Sequence, residues 1–299
     1  SLRAVCELAR VIREEHPDIV HTNAAVAARV AGKLTGRRVI FTRHCAYPAA
    51  ANATPTAAKL ANRLLTDRAV ATAAAAARDL IAMGVPSGAI TVILNGSDPV
   101  REVGAEELNA WREKLLLDGD DFCVGICARL ESCKGHDVFL RAAKQAVGRM
   151  PNRRFRFLVI GDGSRRAELE RMTAQSGLSE AVRFTGFVPD VAPLYRLMRL
   201  HVNASRGTET SCLAVSEAMS AGVPELVSDY GGNREMIGES LAGIVFPEGN
   251  AGALADAICR VAGDGKLEAS MRRAAVLRYR RLFTAERMTD RLMAVYRGM

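Results

Sequence analysis

The chain has 299 residues, which is long enough for two ordinary domains that each bury a core of their own. Hydrophobic residues make up 49% and charged residues 25%, the balance of a globular protein and not of a disordered one. The formal charge is +8 but only 5% of residues are aromatic, so a phosphorylated small molecule or an anionic membrane surface is expected as partner, and nucleic acid is not.

The pattern of the first eighteen residues, SLRAVCELARVIREEHPD, predicts a charged amphipathic helix and not a signal peptide. No apolar run reaches the roughly 18–20 residues that cross a bilayer. The seven cysteines form neither a CxxC pair nor a His/Cys cluster at zinc spacing. We therefore expect reduced thiols, no metal site and a cytoplasmic location.

Residues 1–96 alternate short apolar runs with longer amphipathic stretches, the pattern of βα units around a parallel sheet. The predicted strands lie at 18–23, 38–44, 69–73 and 89–96. A doubly wound domain usually opens on a strand and a Gly-rich turn, whereas this segment opens on a helix. The pattern predicts an incomplete Rossmann-like domain.

Residues 97–283 show the same alternation with a nearly full set of strands. These strands are predicted at 121–129, 154–161, 181–187, 200–205, 223–228 and 242–246. Asn-Gly and Asp-Pro both interrupt regular structure, so NGSDP at 95–99 is the predicted hinge. The last segment, 284–299, has the apolar spacing of a helix. The fold class predicted is α/β.

The segment richest in site-like residues is a polar loop followed by a helix that starts near Cys212, with Glu209 and Glu217 on either side of the turn. Helix N-termini at the carboxyl ends of parallel strands bind phosphates, and carboxylates accept several hydrogen bonds from sugar hydroxyls. The alternative is that Thr210 or Ser211 caps the helix and Glu217 is a surface charge.

The spacing of Glu209 and Glu217 resembles the E-x7-E signature of family 4 glycosyltransferases. Further segments resemble that family in the same order along the chain, from about Pro17 to the C-terminus. They are VILNGSDP (92–99), ARLESCKGHDVFLRAA (128–143), GDG (161–163) and VRFTGFVPD (182–190).

The resemblance implies a fold of the GT-B type with two Rossmann-like domains. The N-terminal acceptor-side domain would be residues 1–96, the nucleotide-sugar-binding domain residues 97–283, and residues 284–299 a helix that crosses back to the first domain. The first domain would lack its N-terminal strand and the Gly-rich loop that in relatives approaches the donor phosphates.

For the donor, the resemblance implies that Arg129 and Lys134 neutralise the diphosphate and stabilise the leaving group. Glu217 would hold the ribose, and Glu209 would face the sugar and phosphate. The full donor-binding set implied is Gly161, Gly186, Phe187, Val188, Thr210, Ser211, Cys212, Leu213 and Glu217, with the base near 186–188.

On the acceptor side, His44 in FTRHCAYP matches the family's His at the edge of the acceptor cleft, where it contacts the transferred sugar. Arg43 is a candidate for a phosphate on the acceptor. His21 and Asn23, at the end of the preceding predicted strand, are further candidates, although His21 also fits a packed position. The catalytic set implied is His44, Arg129, Lys134 and Glu209.

The reaction implied is transfer of a sugar from a nucleoside-diphosphate sugar of the UDP or GDP type, with retention, no cofactor and no metal, in keeping with the lack of a DxD motif. The acceptor implied is a glycan or lipid-linked molecule of polysaccharide biosynthesis. Residues 1–96 carry 12 Lys and Arg against 6 Asp and Glu, which favours peripheral contact with the inner face of a membrane.

The chain departs from the family at Thr210, Ser211 and Cys212, where small or Gly-rich residues are common, and at Ala128, where a Gly often precedes the Arg. Two other functions stay open: a truncated or non-catalytic nucleotide-sugar-binding protein, and a GT-B sugar-nucleotide 2-epimerase. The seven-residue spacing of the glutamates disfavours the epimerase.

Overall fold

The computed structural model describes residues 1–23, 25–46, 54–207 and 209–299. The chain divides into two compact units. Unit 1 comprises Ser1–Asn95, Thr208–Ser211 and Ala285–Met299, and unit 2 comprises Gly96–Gly207 and Cys212–Thr284. Each unit contains one parallel sheet with helices, so the predicted α/β class with two Rossmann-like parts is confirmed.

Unit 1 has a sheet of four parallel strands in the order β1-β2-β3-β4. Its elements in chain order are α1 (Leu2–Glu15), β1 (Ile19–Asn23), α2 (Val26–Leu34), β2 (Arg38–Arg43), α3 (Thr56–Leu64), β3 (Arg68–Ala71), α4 (Ala74–Ala82), β4 (Ile90–Val92) and, much later in the chain, α13 (Ala285–Arg297).

Helix α13 completes one face of the unit 1 sheet. Its residues Met288, Leu292, Val295 and Tyr296 follow helical spacing and pack against a buried cluster that contains Ile40 and Val70. Side chains alternate along a strand, so the next residues of β2 and β3 point to the other face of the sheet. The predicted helix that crosses back to the first domain is confirmed.

Unit 2 has a sheet of six parallel strands in the order β10-β9-β8-β5-β6-β7. Its elements are α5 (Ala105–Leu115), β5 (Phe122–Cys127), α6 (His136–Arg149), β6 (Phe155–Ile160), α7 (Arg166–Gln175), β7 (Val182–Gly186), α8 (Ala192–Leu197), β8 (Leu200–Asn203), α9 (Leu213–Ser220), β9 (Glu225–Ser228), α10 (Asn233–Ile237), β10 (Gly243–Phe246), α11 (Ala251–Gly263) and α12 (Gly265–Leu282).

The core of unit 2 is apolar on both faces of the sheet, as buried parallel strands require. On one face Phe122, Phe139 and Phe157 are fully buried together. Each such side chain contributes about 1.5–3 kcal/mol of hydrophobic free energy to folding. This rigid sheet positions the loops at its carboxyl edge.

The predicted strand 89–96 was too long, because β4 ends at Val92. Its neighbour β3 ends at Ala71, whose carbonyl accepts a last hydrogen bond from Ile93 at 2.9 Å. A strand continues only as far as the neighbouring strand offers hydrogen-bond partners.

No helix within the described residues combines the length and apolar character needed to span a membrane.

His136 makes the stability of unit 2 depend on pH. The imidazole is fully buried, and neither ring nitrogen has a partner among the described residues. Burial, followed by the charge of Arg165, lowers the pKa of His136 to about 4 from 6.5. Below about pH 6.5 the unfolded chain binds a proton that the folded chain rejects, so acidification destabilises the fold.

We expect the free energy of unfolding to fall by on the order of 2 kcal/mol between about pH 7.5 and about pH 5 because of His136. His136→Gln should remove most of that slope in urea unfolding measured at both pH values. His16→Asn, at an exposed helix end, is the control and should keep it. An unchanged slope in His136→Gln would contradict the assignment.

Candidate functional site

Strand order reverses between β5 and β8 in unit 2, since β6 and β7 lie on one side of this pair and β9 and β10 on the other. Ligands of open parallel sheets bind at the carboxyl ends of the strands at such a reversal. Arg129 comes two residues after β5 ends, and the loop before α9 follows β8. The sequence-predicted Arg129, Lys134 and Glu217 all belong to unit 2.

The loops after β5 and β8 are hydrogen-bonded to each other. The Arg206 amide donates to the Cys133 carbonyl at 2.7 Å, and its Nε donates to the Ser132 carbonyl at 3.1 Å. Gly135 has a φ of +70°, and a Cβ there would lie 2.0 Å from the Ala204 carbonyl oxygen. Only glycine fits this position. The turn that contains Lys134 is therefore fixed beside the β8 loop.

The cations at this edge differ in how they are neutralised. Arg206 donates to Asp137 at 2.8 Å, and although burial opposes ionisation, Arg206 and Arg141 hold the pKa of Asp137 below its usual value. Lys134 is half-buried at the end of a short 3₁₀ turn just before α6. The exposed Arg129 forms no ion pair with any described residue. It is the guanidinium at this edge that is available to an anion.

Glu217 on α9 is held in place by Tyr195. The hydroxyl of this fully buried tyrosine on α8 donates to Glu217 Oε2 at 3.1 Å and also interacts with the thiol of Cys127. Burial raises the pKa of Tyr195 well above its usual value, so the hydroxyl keeps its proton. Glu217 is thus half-buried and oriented, with Oε1 left to accept hydrogen bonds. Tyr195 was missed from sequence because it looks like an ordinary core residue.

Neither Thr210 nor Ser211 caps α9, so the capping alternative was wrong. The Thr210 hydroxyl donates to the His44 carbonyl at 2.7 Å within unit 1. Ser211 Oγ accepts from the Asn95 amide at 2.9 Å. The N-cap position is Cys212, which makes no side-chain hydrogen bond to the helix. The α9 N-terminus therefore keeps the amide donors that an anion can use.

A buried polar network fixes the beginning of the loop that leads to Glu209. Ser228 Oγ donates to the Ser205 carbonyl at 2.6 Å and accepts from Asn233 Nδ2 at 3.1 Å. The Ser205 amide in turn donates to Asn203 Oδ1 at 3.0 Å. Sequence reasoning missed this network, whose only signal was polar residues at the ends of apolar strands.

The two predicted donor-binding glycines have packing roles. The Gly161 amide donates to the Gly186 carbonyl at 3.0 Å, and both residues have positive φ. A Cβ on Gly161 would lie 2.2 Å from the Ala128 carbonyl oxygen. Phe187 and Leu213 have exposed fractions of 75% and 48%, and they are available to a ligand. Contact of 186–188 with a base stays a prediction.

In unit 1, His44 and Asn23 lie together at the carboxyl ends of β2 and β1. His44 Nε2 is 3.1 Å from Asn23 Oδ1, and the imidazole is exposed. Partial desolvation lowers the pKa of His44 below its usual value, so the ring is neutral at pH 7. Glu209 is buried and is grouped with unit 1.

The other two acceptor-side candidates are engaged inside unit 1. His21 uses both ring nitrogens, 2.6 Å from the Tyr296 hydroxyl and 2.6 Å from the Thr42 hydroxyl. These contacts agree with the packed position, and its acceptor-side role stays a prediction. The Arg43 guanidinium lies 3.7 Å from Asp79, and both side chains are largely buried. A phosphate at Arg43 would compete with that pair.

A family model described as Glycosyl transferases group 1 matches residues 121–264, and one described as Glycosyltransferase Family 4 matches residues 1–101. The chain is a glycosyltransferase similar to those of family 4. The crystal structure of Anabaena Alr3699/HepE in complex with UDP matches with a TM-score of 0.86 at 20% identity, over 99% of this chain and 82% of that one. The predicted GT-B fold is confirmed.

Two curated glycosyltransferases are similar in sequence. The 2-deoxystreptamine glucosyltransferase of Streptomyces kanamyceticus is 27% identical over 284 residues, which cover 87% of this chain and 72% of the relative. The D-inositol 3-phosphate glycosyltransferase of Nocardia farcinica is 30% identical over 206 residues, which cover 66% of this chain and 45% of the relative. The glycosyltransferase described here spans about half to three quarters of their lengths.

Removal of the Tyr195 hydroxyl should weaken nucleotide binding by the glycosyltransferase. In Tyr195→Phe the ring keeps its place against His201, but Glu217 loses its donor. A hydrogen bond to a charged group is worth about 1.5–3 kcal/mol, so we expect a loss of tenfold or more in affinity for UDP or GDP by calorimetric titration.

The matched control is Tyr279→Phe, which removes a hydroxyl that donates to the Ser97 carbonyl at 2.7 Å elsewhere in unit 2. Its nucleotide affinity should be close to that of the parent. Equal losses in both variants, or no loss in Tyr195→Phe, would show that Tyr195 does not position Glu217 for the nucleotide.

Proposed function

We propose that this glycosyltransferase moves a sugar from a nucleoside-diphosphate sugar of the UDP or GDP type to a glycan or lipid-linked acceptor. Two observations carry the proposal together. Arg129, which forms no ion pair with a described residue, and Glu217, whose carboxylate is oriented by Tyr195, follow β5 and β8, the two strands at the strand-order reversal of unit 2. A diphosphate needs fixed cations, and a ribose diol needs a fixed acceptor of hydrogen bonds.

The proposed step retains the anomeric configuration. The bond from the anomeric carbon to the diphosphate oxygen breaks, and the acceptor hydroxyl attacks from the same face while its proton passes to the departing phosphate. The nucleoside diphosphate gains negative charge as it leaves, and Arg129 and Lys134 offset this charge. This chemistry depends on positioning and electrostatics, so we propose that it needs neither a metal nor a cofactor.

The roles on the acceptor side follow from the family resemblance. We assign His44 to the transferred sugar and Glu209 to the sugar and phosphate, with Asn23 supporting the His44 ring through their 3.1 Å contact. The surplus of Lys and Arg in residues 1–96 suits an acceptor on an anionic membrane, and we extend the proposal to peripheral attachment at its cytoplasmic face.

The first test is a calorimetric titration of UDP, GDP and ADP into the chain and into Arg129→Ala, Lys134→Ala and the double variant. One nucleotide should bind, each single variant should bind it at least tenfold more weakly, and the double variant should bind little, because the diphosphate loses its counter-charges. Arg149→Ala is the control, since Arg149 pairs with Asp256 on the surface of unit 2. No binding to the parent chain would contradict the donor site.

The second test is an activity assay of the same proteins with the sugar derivative of the nucleotide that binds. The products are analysed with acceptor, without acceptor, and with acceptor plus a metal chelator. Transfer with retention that survives the chelator supports the proposal. Conversion of the sugar nucleotide to an epimer in the absence of acceptor would indicate a 2-epimerase. Nucleotide binding with no transfer to any acceptor tested would indicate a non-catalytic binding protein.

Protonation of His44 should cause the fall of kcat/KM on the acidic side of its pH profile. Its lowered pKa makes the neutral ring the working form at pH 7, so kcat/KM should be flat above about pH 6.5 and fall as the ring is protonated below that. His44→Gln should be slower at every pH and lack this limb. A profile in which the limb persists in His44→Gln would assign it to another group.

A further inference from the structure

A second concave site lies in unit 2 at the amino ends of the strands, the edge opposite to the candidate donor site. It is a cavity of about 370 Å³ bounded by α5, α8, α12 and the start of β5. Four guanidinium-bearing side chains line it, together with the carboxylate of Glu268. The arginines are Arg112, Arg196, Arg199 and Arg272.

We call this site the arginine cavity. Its carboxylate, that of Glu268, interacts with two of the arginines. Glu268 is 4% exposed and accepts two hydrogen bonds from Arg199, at 2.5 and 2.6 Å. The same carboxylate is 3.8 Å from Arg272, which also donates to the Met198 carbonyl at 3.3 Å. One negative charge is therefore shared by two guanidinium groups.

The other two acidic residues that line the cavity, Asp118 and Asp121, do not neutralise its remaining positive charge. Asp121 is held at 3.2 and 3.3 Å by Arg154 and Arg156, and Asp118 pairs with Arg154. Neither Arg154 nor Arg156 lines the cavity. These carboxylates are thus neutralised from outside, and the arginine cavity keeps an excess of positive charge.

Two of the lining arginines, Arg196 and Arg272, are incompletely matched by acceptors or by negative charge. Arg196 pairs through Nη2 with the highly exposed Glu102 at 2.9 Å, but its buried Nε has no acceptor among the described residues. Burial lowers the pKa of Arg272, and the charges of Arg199 and Arg196 lower it further against the pull of Glu268. A buried donor without an acceptor is costly, and it is satisfied when a ligand supplies one.

We propose that the arginine cavity binds an anion of the phosphate type. Guanidinium groups match the oxygens of a phosphate in pairs, and a dianion would supply both the missing charge and the acceptor for Arg196 Nε. The volume is within the range of small-ligand sites. This site would be separate from the diphosphate position at Arg129 and Lys134, and it does not rest on the proposed transfer reaction.

The test uses inorganic phosphate and, in a second arm, glucose 1-phosphate, titrated by calorimetry into the Arg129→Ala/Lys134→Ala chain so that the donor edge does not contribute. Binding of one phosphate per chain is expected in at least one arm. Tighter binding of the sugar phosphate would indicate a phosphorylated metabolite as ligand, and equal or tighter binding of inorganic phosphate would indicate the free ion.

Arg272→Gln and Arg196→Gln, each added to that chain, should weaken binding at least tenfold. Arg196→Gln leaves the Arg199–Glu268 pair intact, so it remains informative if Arg272→Gln is unstable. Arg149→Gln, on the surface of the same unit, is the matched control and should bind like its parent. No binding in either arm, or unchanged binding in both cavity variants, would overturn the proposal.

Discussion

The close approach of two loops at Gly135 is the constraint on which the candidate site at the carboxyl edge of the unit 2 sheet depends. The positive φ of Gly135 and the nearness of the Ala204 carbonyl exclude any side chain there. Because the loops after β5 and β8 are joined at this point, Lys134 and the N-terminus of α6 are fixed relative to the strand-order reversal. The site is therefore built from backbone packing first, and its charged side chains act from a rigid support.

Charge is distributed differently at the two edges of the same sheet. At the carboxyl edge Asp137 neutralises Arg206, which leaves the exposed Arg129 as the cation that meets solvent. At the amino edge Glu268 is shared, and the positive excess lies in a concave, partly desolvated place. Desolvated charges interact more strongly with a bound anion than exposed ones, so the shape of each edge matters as much as its charge.

The fold class and the crossing-back helix could be predicted from the sequence, because strand periodicity and helical spacing are local signals. The place of Arg129 just after a strand could be predicted in the same way, and its role toward a donor stays a prediction. The parts that could not be predicted involve partners far apart in the chain. Tyr195 reaches Glu217 across 22 residues, and Arg206 reaches Asp137 across 69. Thr210 looked like a helix cap, but the carbonyl of His44 takes its hydroxyl instead.

The place of α13 in unit 1 has a consequence for how the chain acquires its structure during synthesis. The His21–Tyr296 hydrogen bond joins residues 275 positions apart, and all of unit 2 lies between them in the chain. Unit 2 can form from nearly contiguous sequence, whereas the sheet face around Ile40 and Val70 stays uncovered until α13 leaves the ribosome. Non-local contacts form slowly, so unit 1 is the part that depends longest on protection from aggregation.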